Sequence, residues 1–405
     1  MRPEVEPTPT AGPLQGIRIL DLSAVVSGPL ATMILAEQGA DVVKVEPPGR
    51  GDSGRHIGPG VEGCSALFAI CNRAKRSIVI DLGTPEGVEL IRGLAAQVDV
   101  VVENFRPGVV DRLGIGYADL KGANPELIYA SISGFGPDGP NAGQRVYDPI
   151  IQAASGLAVS QTAAGDGAPS LIYSLICDKV AGMSAAQAIT AALLARYRGL
   201  GGQHLQVSML EACLAFNWPD LMWNHTFADA PPASPAGLNQ TYRLWPTRDG
   251  HIAAVTVSEE EFRGWCRALG SADLLEDPRF PTHAARRQHA RILAPLWEAR
   301  LAAMTTAEAL ERFEREGVPA GPVNSPSDLL SDPQVIHSRI VQESRHPVRG
   351  RVLEPRPGAR LAGGRDAPRH APDLGAHSSE VLGEFGYDAA AIARLIAAGT
   401  VEIAS

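Results

Sequence analysis

One aspartate stands where an apolar helix begins, a position at which a carboxylate can do chemistry. Asp178 lies in the run Tyr173–Gly182, with apolar residues before it and an alanine-rich helix predicted after it to about Arg196. A buried carboxylate with little counter-charge is unfavourable, and such groups often act as acids, bases or nucleophiles. Aspartate is also a favoured N-cap, so an ordinary helix cap is the alternative interpretation.

Motifs of several other chemistries are absent from this sequence. The turn after the first predicted strand reads Ser27-Gly28-Pro29 instead of G-x-G-x-x-G, which disfavours a nicotinamide dehydrogenase. No G-x-x-x-x-G-K-[ST], H-E-x-x-H or G-x-S-x-G motif occurs. The five cysteines are widely spaced without a C-x-x-C pair, so neither a metal site nor a disulfide framework is predicted. Reduced thiols in the cytoplasm fit this pattern.

Composition narrows the class of protein further. The 405 residues carry a formal net charge of −9 at pH 7, which argues against nucleic acid as a partner. No run of about 20 apolar residues exists, so no membrane span is predicted. Residues 1–13 are polar and proline-rich, and we expect a short disordered tail there. The remaining length is enough for more than one domain.

The first third of the chain alternates strand-like and helix-like segments. Strands are predicted at Ile17–Leu22, Asp41–Glu46, Ser77–Leu82, Asp99–Glu103 and Leu127–Ile132. Helices are predicted at Pro29–Gln38 and after the cap residue Thr84. Val- and Ile-rich strands separated by helices imply a parallel sheet covered on both faces. Ligands gather beyond the carboxyl ends of such strands. The polar loops there are Ser23–Pro29, Glu46–Arg55, Asn104–Arg112 and Gly134–Tyr147.

The later part of the chain contains a second unit. Two helical segments, Met183–Arg198 and Ser208–Trp223, lead to an Ala- and Pro-rich linker or loop at residues 228–240. A hairpin then spans Tyr242–Val255, with Asp249-Gly250 at its turn. Helices are predicted near Glu259–Leu269, Ala284–Ala303 and Thr306–Glu316, followed by extended residues at Gly317–Val323. From Val341 the chain is rich in Arg, Pro and Gly until a last helix near Ala389–Ala398.

From about Leu14 to the C-terminus, the sequence resembles the class III (family III) CoA-transferases, the group of formyl-CoA transferase and carnitine CoA-transferase. The resemblance rests on blocks that occur in the same order along nearly the whole chain. These are Gly16–Leu22, Ser27–Pro29, Leu35–Pro48, Gly51-Asp52, Lys75–Ile78, Asp81-Leu82, Val102–Gly108, Asp111–Gly114, Tyr147-Asp148, Gln152-Ala153, Ser155-Gly156, Asp178, Gly182, Ala192-Leu193, Arg196, Gly201–Gln203, Asp249-Gly250 and Gly317–Val323.

The resemblance implies an α/β fold of two domains. A large Rossmann-like domain with a parallel sheet is expected from residues 14–227, completed by a return segment at residues 336–405. Residues 241–335 are expected to form a smaller α+β domain. Members of the family form homodimers whose two chains interlock like links, and the resemblance implies the same here.

The resemblance also assigns roles to individual positions. It identifies Asp178 as the aspartate nucleophile. Coenzyme A or acyl-CoA is expected as a substrate, with no tightly bound cofactor. The positions expected to contact it are Val25, Val26, Ser27, Ile80, Asp81, Leu82, Gly83, Asn104, Phe105, Arg106, Arg112, Arg145, Tyr147 and Asp148. Arginines suit the phosphates of CoA, and apolar loop residues suit its adenine.

Taken singly, these residues have structural interpretations. A lone arginine is commonly a surface charge, Phe105 is of a type commonly found in cores, and Asn104 after a strand is of a type that forms turns.

In the mechanism that the resemblance implies, Asp178 attacks the thioester of an acyl-CoA and forms a mixed anhydride. The CoA thiolate then converts the anhydride into an aspartyl-CoA thioester, and an acceptor carboxylate reverses the steps. Backbone N–H groups near the helix start, together with those of nearby glycines, are expected to hold the oxyanion.

Two departures from formyl-CoA transferase place oxalate and formate in doubt. The loop at Ala228–Gln240 lacks a polyglycine lid, and Pro47 replaces an arginine for which Arg50 is a candidate substitute.

Two other functions stay open at the level of sequence. An α-methylacyl-CoA racemase would need a histidine before Asp148, where this chain has Tyr147, a poor base at neutral pH. A non-catalytic CoA-binding protein of the same fold would not need Asp178. An acyl pocket shaped by Trp218, Trp223, His225, Trp245 and the Ala- and Pro-rich loop would suit a hydrophobic or aromatic acceptor acid, although aromatic residues at helical spacing commonly belong to cores.

Overall fold

A computed structural model of the protein describes residues 12–161, 167–229, 242–361 and 369–404. The chain forms two compact units. The first contains the described residues up to Gly156, Leu171–Asn217 and the described residues from Arg339 onward. The second contains the described residues of 157–170 and of 218–338. Most of the tail and most of the linker predicted at residues 228–240 lie outside the described residues.

The described residues form β-strands of two to six residues. They are β1 (Arg18–Asp21), β2 (Asp41–Glu46), β3 (Gly60–Val61), β4 (Cys64–Ser65), β5 (Arg76–Ile80), β6 (Val100–Glu103), β7 (Ile128–Ser133), β8 (Gln203–Ser208), β9 (Leu244–Pro246), β10 (His251–Ala254), β11 (Ala320–Pro322), β12 (Val341–His346), β13 (Gly350–Pro355) and β14 (Val401–Glu402).

The α-helices of the described residues range from single turns to five turns. They are α1 (Ser27–Glu37), α2 (Ala66–Cys71), α3 (Pro85–Ala95), α4 (Val109–Leu113), α5 (Tyr117–Leu120), α6 (Asp148–Ala154), α7 (Leu157–Ser160), α8 (Ile176–Ala195), α9 (Met209–Leu221), α10 (Glu259–Ala268), α11 (His283–Gln288), α12 (Ala290–Leu301), α13 (Thr306–Arg315), α14 (Pro333–His337), α15 (Ser378–Glu384) and α16 (Ala389–Ala397). None is long and apolar enough to cross a membrane.

A seven-stranded sheet organises the first unit. Its strand order is β14-β5-β2-β1-β6-β7-β8, and every neighbouring pair is parallel except β14 with β5. From β1 the chain therefore winds outward in one direction through β2 and β5, and then in the other through β6, β7 and β8. In such a doubly wound sheet the crevice outside the carboxyl ends of β1 and β6 is the expected place for a ligand.

The sequence predicted most of this sheet. The bounds of β2 agree with the prediction, and β1, β5, β6 and β7 differ from it by one or two residues. Their central residues are buried because helices cover both faces, as their Val- and Ile-rich composition indicated. The cap of α3 is also confirmed, since the Thr84 hydroxyl accepts from the N–H of Gly87 at 3.1 Å.

The C-terminal part has more regular structure than its composition predicted. Residues rich in Arg and Gly form an antiparallel hairpin of β12 and β13, and α15 precedes the predicted last helix. The prediction missed the hairpin because exposed charged side chains obscure its alternation. After α16, β14 pairs with the outer side of β5 and adds the antiparallel edge strand.

The second unit contains a three-stranded antiparallel sheet, β11-β10-β9, together with α10 to α14. The predicted hairpin is confirmed, since β9 and β10 flank Asp249-Gly250. The single helix predicted at Ala284–Ala303 is wrong. His289 has φ −102° and ψ 17°, and it separates α11 from α12. Neither glycine nor proline marks this break, so it could not be predicted from the local sequence.

Candidate active site

Two loops meet at the crevice between β1 and β6. The side-chain amide of Asn104, directly after β6, pairs with the backbone of Ala24, three residues after the end of β1. Its Oδ1 accepts from the Ala24 N–H and its Nδ2 donates to the Ala24 carbonyl, each at 2.8 Å. Asn104 therefore fixes the loop that leads into α1.

Backbone strain marks the same loop. Val25 has a φ of 69°, in a region that β-branched residues rarely adopt. Its N–H donates to the Asp52 carboxylate at 3.0 Å, and this contact holds the unfavourable conformation in place. Strained residues of this kind concentrate at ligand sites, where the surrounding structure over-determines them.

A buried network of charges supports the loop from below. Lys44 lies in the Val-rich strand β2, fully buried, with its ammonium 2.8 Å from the Asp52 carboxylate and 2.8 Å from the Ser23 carbonyl. Lys75 contacts Asp21 at 2.9 Å, and both side chains are excluded from solvent. This network was not predicted, although charged residues inside otherwise apolar strands are a sequence signal for it.

Asp178 lies in the first turn of α8 but does not cap it. Leu175 occupies the N-cap position and makes no side-chain hydrogen bond to the helix. The capping carboxylate comes instead from Asp148, at the start of α6, whose Oδ2 accepts from the N–H groups of Cys177 at 2.7 Å and Asp178 at 3.0 Å. The cap interpretation of Asp178 is therefore wrong, and its side chain is available for another role.

The same contacts correct the expected oxyanion site. The N–H groups of Cys177 and Asp178 are the donors that a helix start would offer to a substrate oxygen. Both are already taken by Asp148, which is 1% exposed and is also bonded to Gln152 at 2.6 Å. An oxyanion at Asp178 must therefore be held by donors other than these two.

Close packing of α8 against α1 brings Asp178 to Ser27. Gly182 permits this approach, since a Cβ atom there would lie 2.6 Å from the Ser27 carbonyl oxygen. The side chain and the backbone N–H of Ser27 both hydrogen-bond to the Asp178 carboxylate. Asn104 in turn donates to the Ser27 hydroxyl at 3.3 Å, so hydrogen bonds connect the residues of the crevice to the Asp178 carboxylate.

The environment of Asp178 makes its carboxylate more basic than usual. Burial raises the pKa of Asp178 to about 6, and the negative charge of Asp148 acts in the same direction. Hydrogen bonds from Ser27 and the charge of Lys179 oppose this rise. A carboxylate with a pKa near 6 is mostly ionised at pH 7 and is a stronger nucleophile than an ordinary aspartate.

Asp178 lines a cavity of about 390 Å³ beyond the carboxyl ends of β1, β6 and β7. Eight of the predicted site residues line this cavity: Val25, Ser27, Asn104, Phe105, Arg106, Arg145, Tyr147 and Asp178. Their presence in one wall brings the predicted nucleophile together with two arginines and an exposed tyrosine. Residues that the sequence analysis did not single out also contribute, among them Ala24, Pro107, Gln144 and Met209.

The other predicted positions lie elsewhere in the first unit. Ile80, Asp81, Leu82 and Gly83 are at the end of β5, two strands from β1 and so roughly 10 Å away. Arg112 is exposed on α4, whereas Val26 and Asp148 are buried beside the cavity. Contact of these residues with an extended ligand stays a prediction.

A second cavity of about 140 Å³ adjoins the first and shares Phe105, Arg106, Pro107, Ile132 and Ser133 with it. Ser131 lies 2.9 Å from Nε2 of His204 and also hydrogen-bonds to Glu103. Burial raises the pKa of Glu103 to about 7. The described residues hold no cluster of His, Cys, Asp and Glu arranged for a metal ion.

The aromatic residues proposed for an acyl pocket do not line either cavity. Trp245 is 5% exposed and belongs to the core of the second unit. Trp218 and Trp223 are partly exposed in that unit.

Fold and site together define the class of protein: a doubly wound α/β enzyme with an activated carboxylate at the switch point of its sheet. The model of CoA-transferase family III matches residues 14–378 of the chain. The succinyl-CoA:glutarate CoA-transferase of Mus musculus is 36% identical over 96% of this chain and 90% of its own length. The formyl-CoA:oxalate CoA-transferase of Escherichia coli O157:H7 is 32% identical over 93% of this chain and 96% of its own length.

Among solved structures, a CAIB/BAIF family protein from Brucella suis superposes with a TM-score of 0.81 at 33% identity. The match covers 93% of this chain and all of that one. The chain belongs to CoA-transferase family III. The resemblance found from the sequence blocks is thereby confirmed, and the protein is an enzyme of the class III CoA-transferases.

Proposed function

We propose that the protein moves CoA from an acyl-CoA donor to a carboxylic acid through Asp178 as a covalent nucleophile. One observation carries the proposal: the half-buried carboxylate of Asp178 faces a cavity large enough for a thioester and an acid, with its pKa at about 6. The carboxylate is ionised at neutral pH and needs no separate base to activate it.

The reaction conserves both acyl groups and needs no redox partner. An Asp178 oxygen attacks the thioester carbon, the C–S bond breaks, and CoA leaves as a thiolate. The thiolate attacks the Asp178 carbonyl, the aspartyl C–O bond to the anhydride oxygen breaks, and the donor acid leaves as a carboxylate. The acceptor carboxylate then attacks the aspartyl thioester carbon, the C–S bond breaks, and a second mixed anhydride forms as CoA leaves as a thiolate. The thiolate attacks the acceptor's acyl carbon in this anhydride, the bond from that carbon to the bridging oxygen breaks, and the products are the new acyl-CoA and the free Asp178 carboxylate.

Ser27 and Asn104 position the nucleophile in this scheme. Hydrogen bonds from Ser27 orient the Asp178 carboxylate, and Asn104 holds both Ser27 and the β1–α1 loop. The predicted CoA contacts of this loop, of Phe105 and of the arginines belong to the same proposal. So do Ile80–Gly83 and Arg112, which lie along the strand ends that an extended CoA molecule can follow.

For the acceptor we propose a short dicarboxylic acid. Arg106 and Arg145 line the cavity together with Asp178. A second carboxylate on the acceptor acid can pair with these arginines. This polarity favours a dicarboxylate over the hydrophobic acid that the tryptophans suggested. The names of similar enzymes from mouse and from Agrobacterium fabrum include succinate or succinyl-CoA and glutarate.

The proposal is tested by offering succinyl-CoA with glutarate, or with butyrate, and separating the acyl-CoA products by chromatography. We expect glutaryl-CoA to form, and butyryl-CoA to form at least about tenfold more slowly at equal acid concentration. In Arg145→Met the preference for glutarate over butyrate should become smaller, whereas in Asp178→Asn neither glutaryl-CoA nor butyryl-CoA should form. Transfer by Asp178→Asn at the rate of the parent enzyme would contradict the covalent role.

The interlocked homodimer, the domain limits at residues 14–227, 241–335 and 336–405, and the cytoplasmic location belong to this proposal too. Exposed apolar side chains along one face of α8 and just beyond it support association of two chains. Met183 is 62% and Leu194 is 51% exposed, and Tyr197 follows at 90%. Light scattering of the purified protein distinguishes a dimer from a monomer.

A further inference from the structure

The second unit contains a cavity of its own, of about 100 Å³, whose floor is a cluster of three tryptophans. Trp245 comes from β9, Trp265 from α10 and Trp297 from α12, and each is at most 7% exposed. The ring centroids of Trp265 and Trp297 are 4.6 Å apart, and Trp245 meets both rings edge-on. The cavity lies entirely within the second unit and shares no residue with the one at Asp178.

Two of the three indole N–H groups lack a hydrogen-bond acceptor. Trp245 donates to the Ala254 carbonyl at 3.0 Å. Nε1 of Trp265 and Nε1 of Trp297 find no partner among the described residues, although both nitrogens are buried. A buried donor without an acceptor is uncommon. Both of these rings contribute to the lining of the cavity.

The lining of the cavity is basic on one part. It includes Arg243, His283, Arg286 and Arg287, and no acidic side chain is among the lining residues. Arg286 is held by Glu259 at 2.7 Å, and Arg243 by Glu298 at 2.8 Å, so these two are positioned by partners outside the cavity. Arg287 lies on the exposed side of α11, where a ligand would enter.

We propose that this cavity binds a small carboxylate with an aromatic or apolar body. The tryptophans, Leu293 and Ala294 accommodate the body, while the arginines of the lining pair with the carboxylate oxygens. A singly charged head suits so small and apolar a cavity because a more highly charged group would lose more hydration energy on entry. The site is independent of the transferase reaction and is tested without turnover.

Benzoate is the probe, and tryptophan fluorescence is the readout, since three of the five tryptophans of the chain line the cavity. We expect a saturable change in emission with benzoate and none with benzyl alcohol, which has the ring without the charge. Arg287→Met should weaken binding about tenfold, as expected for a lost charge-assisted contact. Arg291→Met, an exposed neighbour outside the cavity, should bind as the parent does.

Filling the cavity gives the second arm of the test. Ala290→Phe places a ring in the space and should abolish the response, and circular dichroism checks that the variant is folded. The proposal is overturned if benzoate gives no saturable change up to roughly 10 mM. It is also overturned if benzyl alcohol gives the same curve, or if Arg287→Met and folded Ala290→Phe both respond like the parent, because the probe would then bind elsewhere.

Discussion

Two groups of carboxylates lie in the interior of the first unit, and their surroundings act on them in opposite directions. Burial alone would raise the pKa of Asp52, but the charge of Lys44 and several hydrogen bonds outweigh it, so the pKa is lowered. The same balance, with Lys75 and Lys44 as cations, lowers the pKa of Asp21. At Asp178, burial prevails and a second carboxylate adds to it, so the pKa rises to about 6.

This difference in pKa distinguishes the carboxylates that support the fold from the carboxylate that is reactive. A carboxylate that is matched by a buried cation is fixed in its charged form and holds the loops in place. A carboxylate that is partly desolvated without such a cation keeps its charge at a cost, and covalent chemistry at an acyl carbon relieves that cost.

The largest effect is expected for Asp178→Asn. Loss of the nucleophile should reduce turnover by roughly 10⁴-fold or more. The same change removes a carboxylate whose ionisation is disfavoured in the folded state, so the free energy of unfolding at pH 7 should rise by about 1 kcal/mol. Chemical denaturation and a turnover assay check both parts. A variant that is inactive because it is unfolded would contradict the comparison.

Next in size is the destabilisation by Lys44→Met. Removal of the buried ammonium leaves Asp52 and Asp21 without part of their counter-charge, and the free energy of unfolding should fall by about 3–5 kcal/mol. The matched control is Lys121→Met, since Lys121 is exposed, and it should change stability by less than about 0.5 kcal/mol. Equal stability of the two variants would show that the network is not a support.

The network also sets the response of the fold to acid. The pKa values of Asp21, Glu46 and Asp52 are lowered in the folded state, so their stabilisation is fully present above the unfolded values near 4. It is lost as the pH falls through the lower folded values. Urea titrations at pH 7, 4 and 3 should therefore show stability decreasing below pH 4, and a constant stability would contradict the assignment.

A smaller effect is expected for Asp148→Asn, which removes the charge that faces Asp178 but keeps one capping oxygen. Because burial remains, the acid limb of the pH–rate profile should move down from about pH 6 by less than about one unit. Asp138→Asn, an exposed change, should leave the limb in place. An upward shift in Asp148→Asn would mean that Asp148 does not raise the pKa of Asp178.

The smallest effect concerns the strained loop. Val25→Gly relieves the positive φ and should stabilise the fold by about 1 kcal/mol, while a looser loop should lower kcat/KM a few-fold. Ala74 has a φ of 65° outside the cavity, so Ala74→Gly should give similar stabilisation without loss of activity. If both variants keep full activity, the strain at Val25 has no role in the site.

The family resemblance of the sequence identified more residues of the candidate site than hydrophobic periodicity and turn patterns alone could have done. Periodicity predicted the parallel strands and their polar carboxyl-end loops, three of which line the cavity at Asp178. Periodicity could not identify Asp148 as the cap of α8, because Asp148 and Asp178 are 30 positions apart and only tertiary packing brings them together. Nor could it predict that Gly182 sets the distance between α8 and α1, since an isolated helical glycine has no unique interpretation.

The central claim is that Asp178 becomes covalently attached during turnover, and intact-protein mass spectrometry tests it most directly. The protein is mixed briefly with succinyl-CoA, its mass is measured, and peptides are mapped with and without hydroxylamine. We expect an acyl or CoA adduct on Asp178 that hydroxylamine removes, and no adduct in Asp178→Asn. Steady transfer of CoA by the parent enzyme with no adduct on Asp178, or with one on another residue, would contradict it.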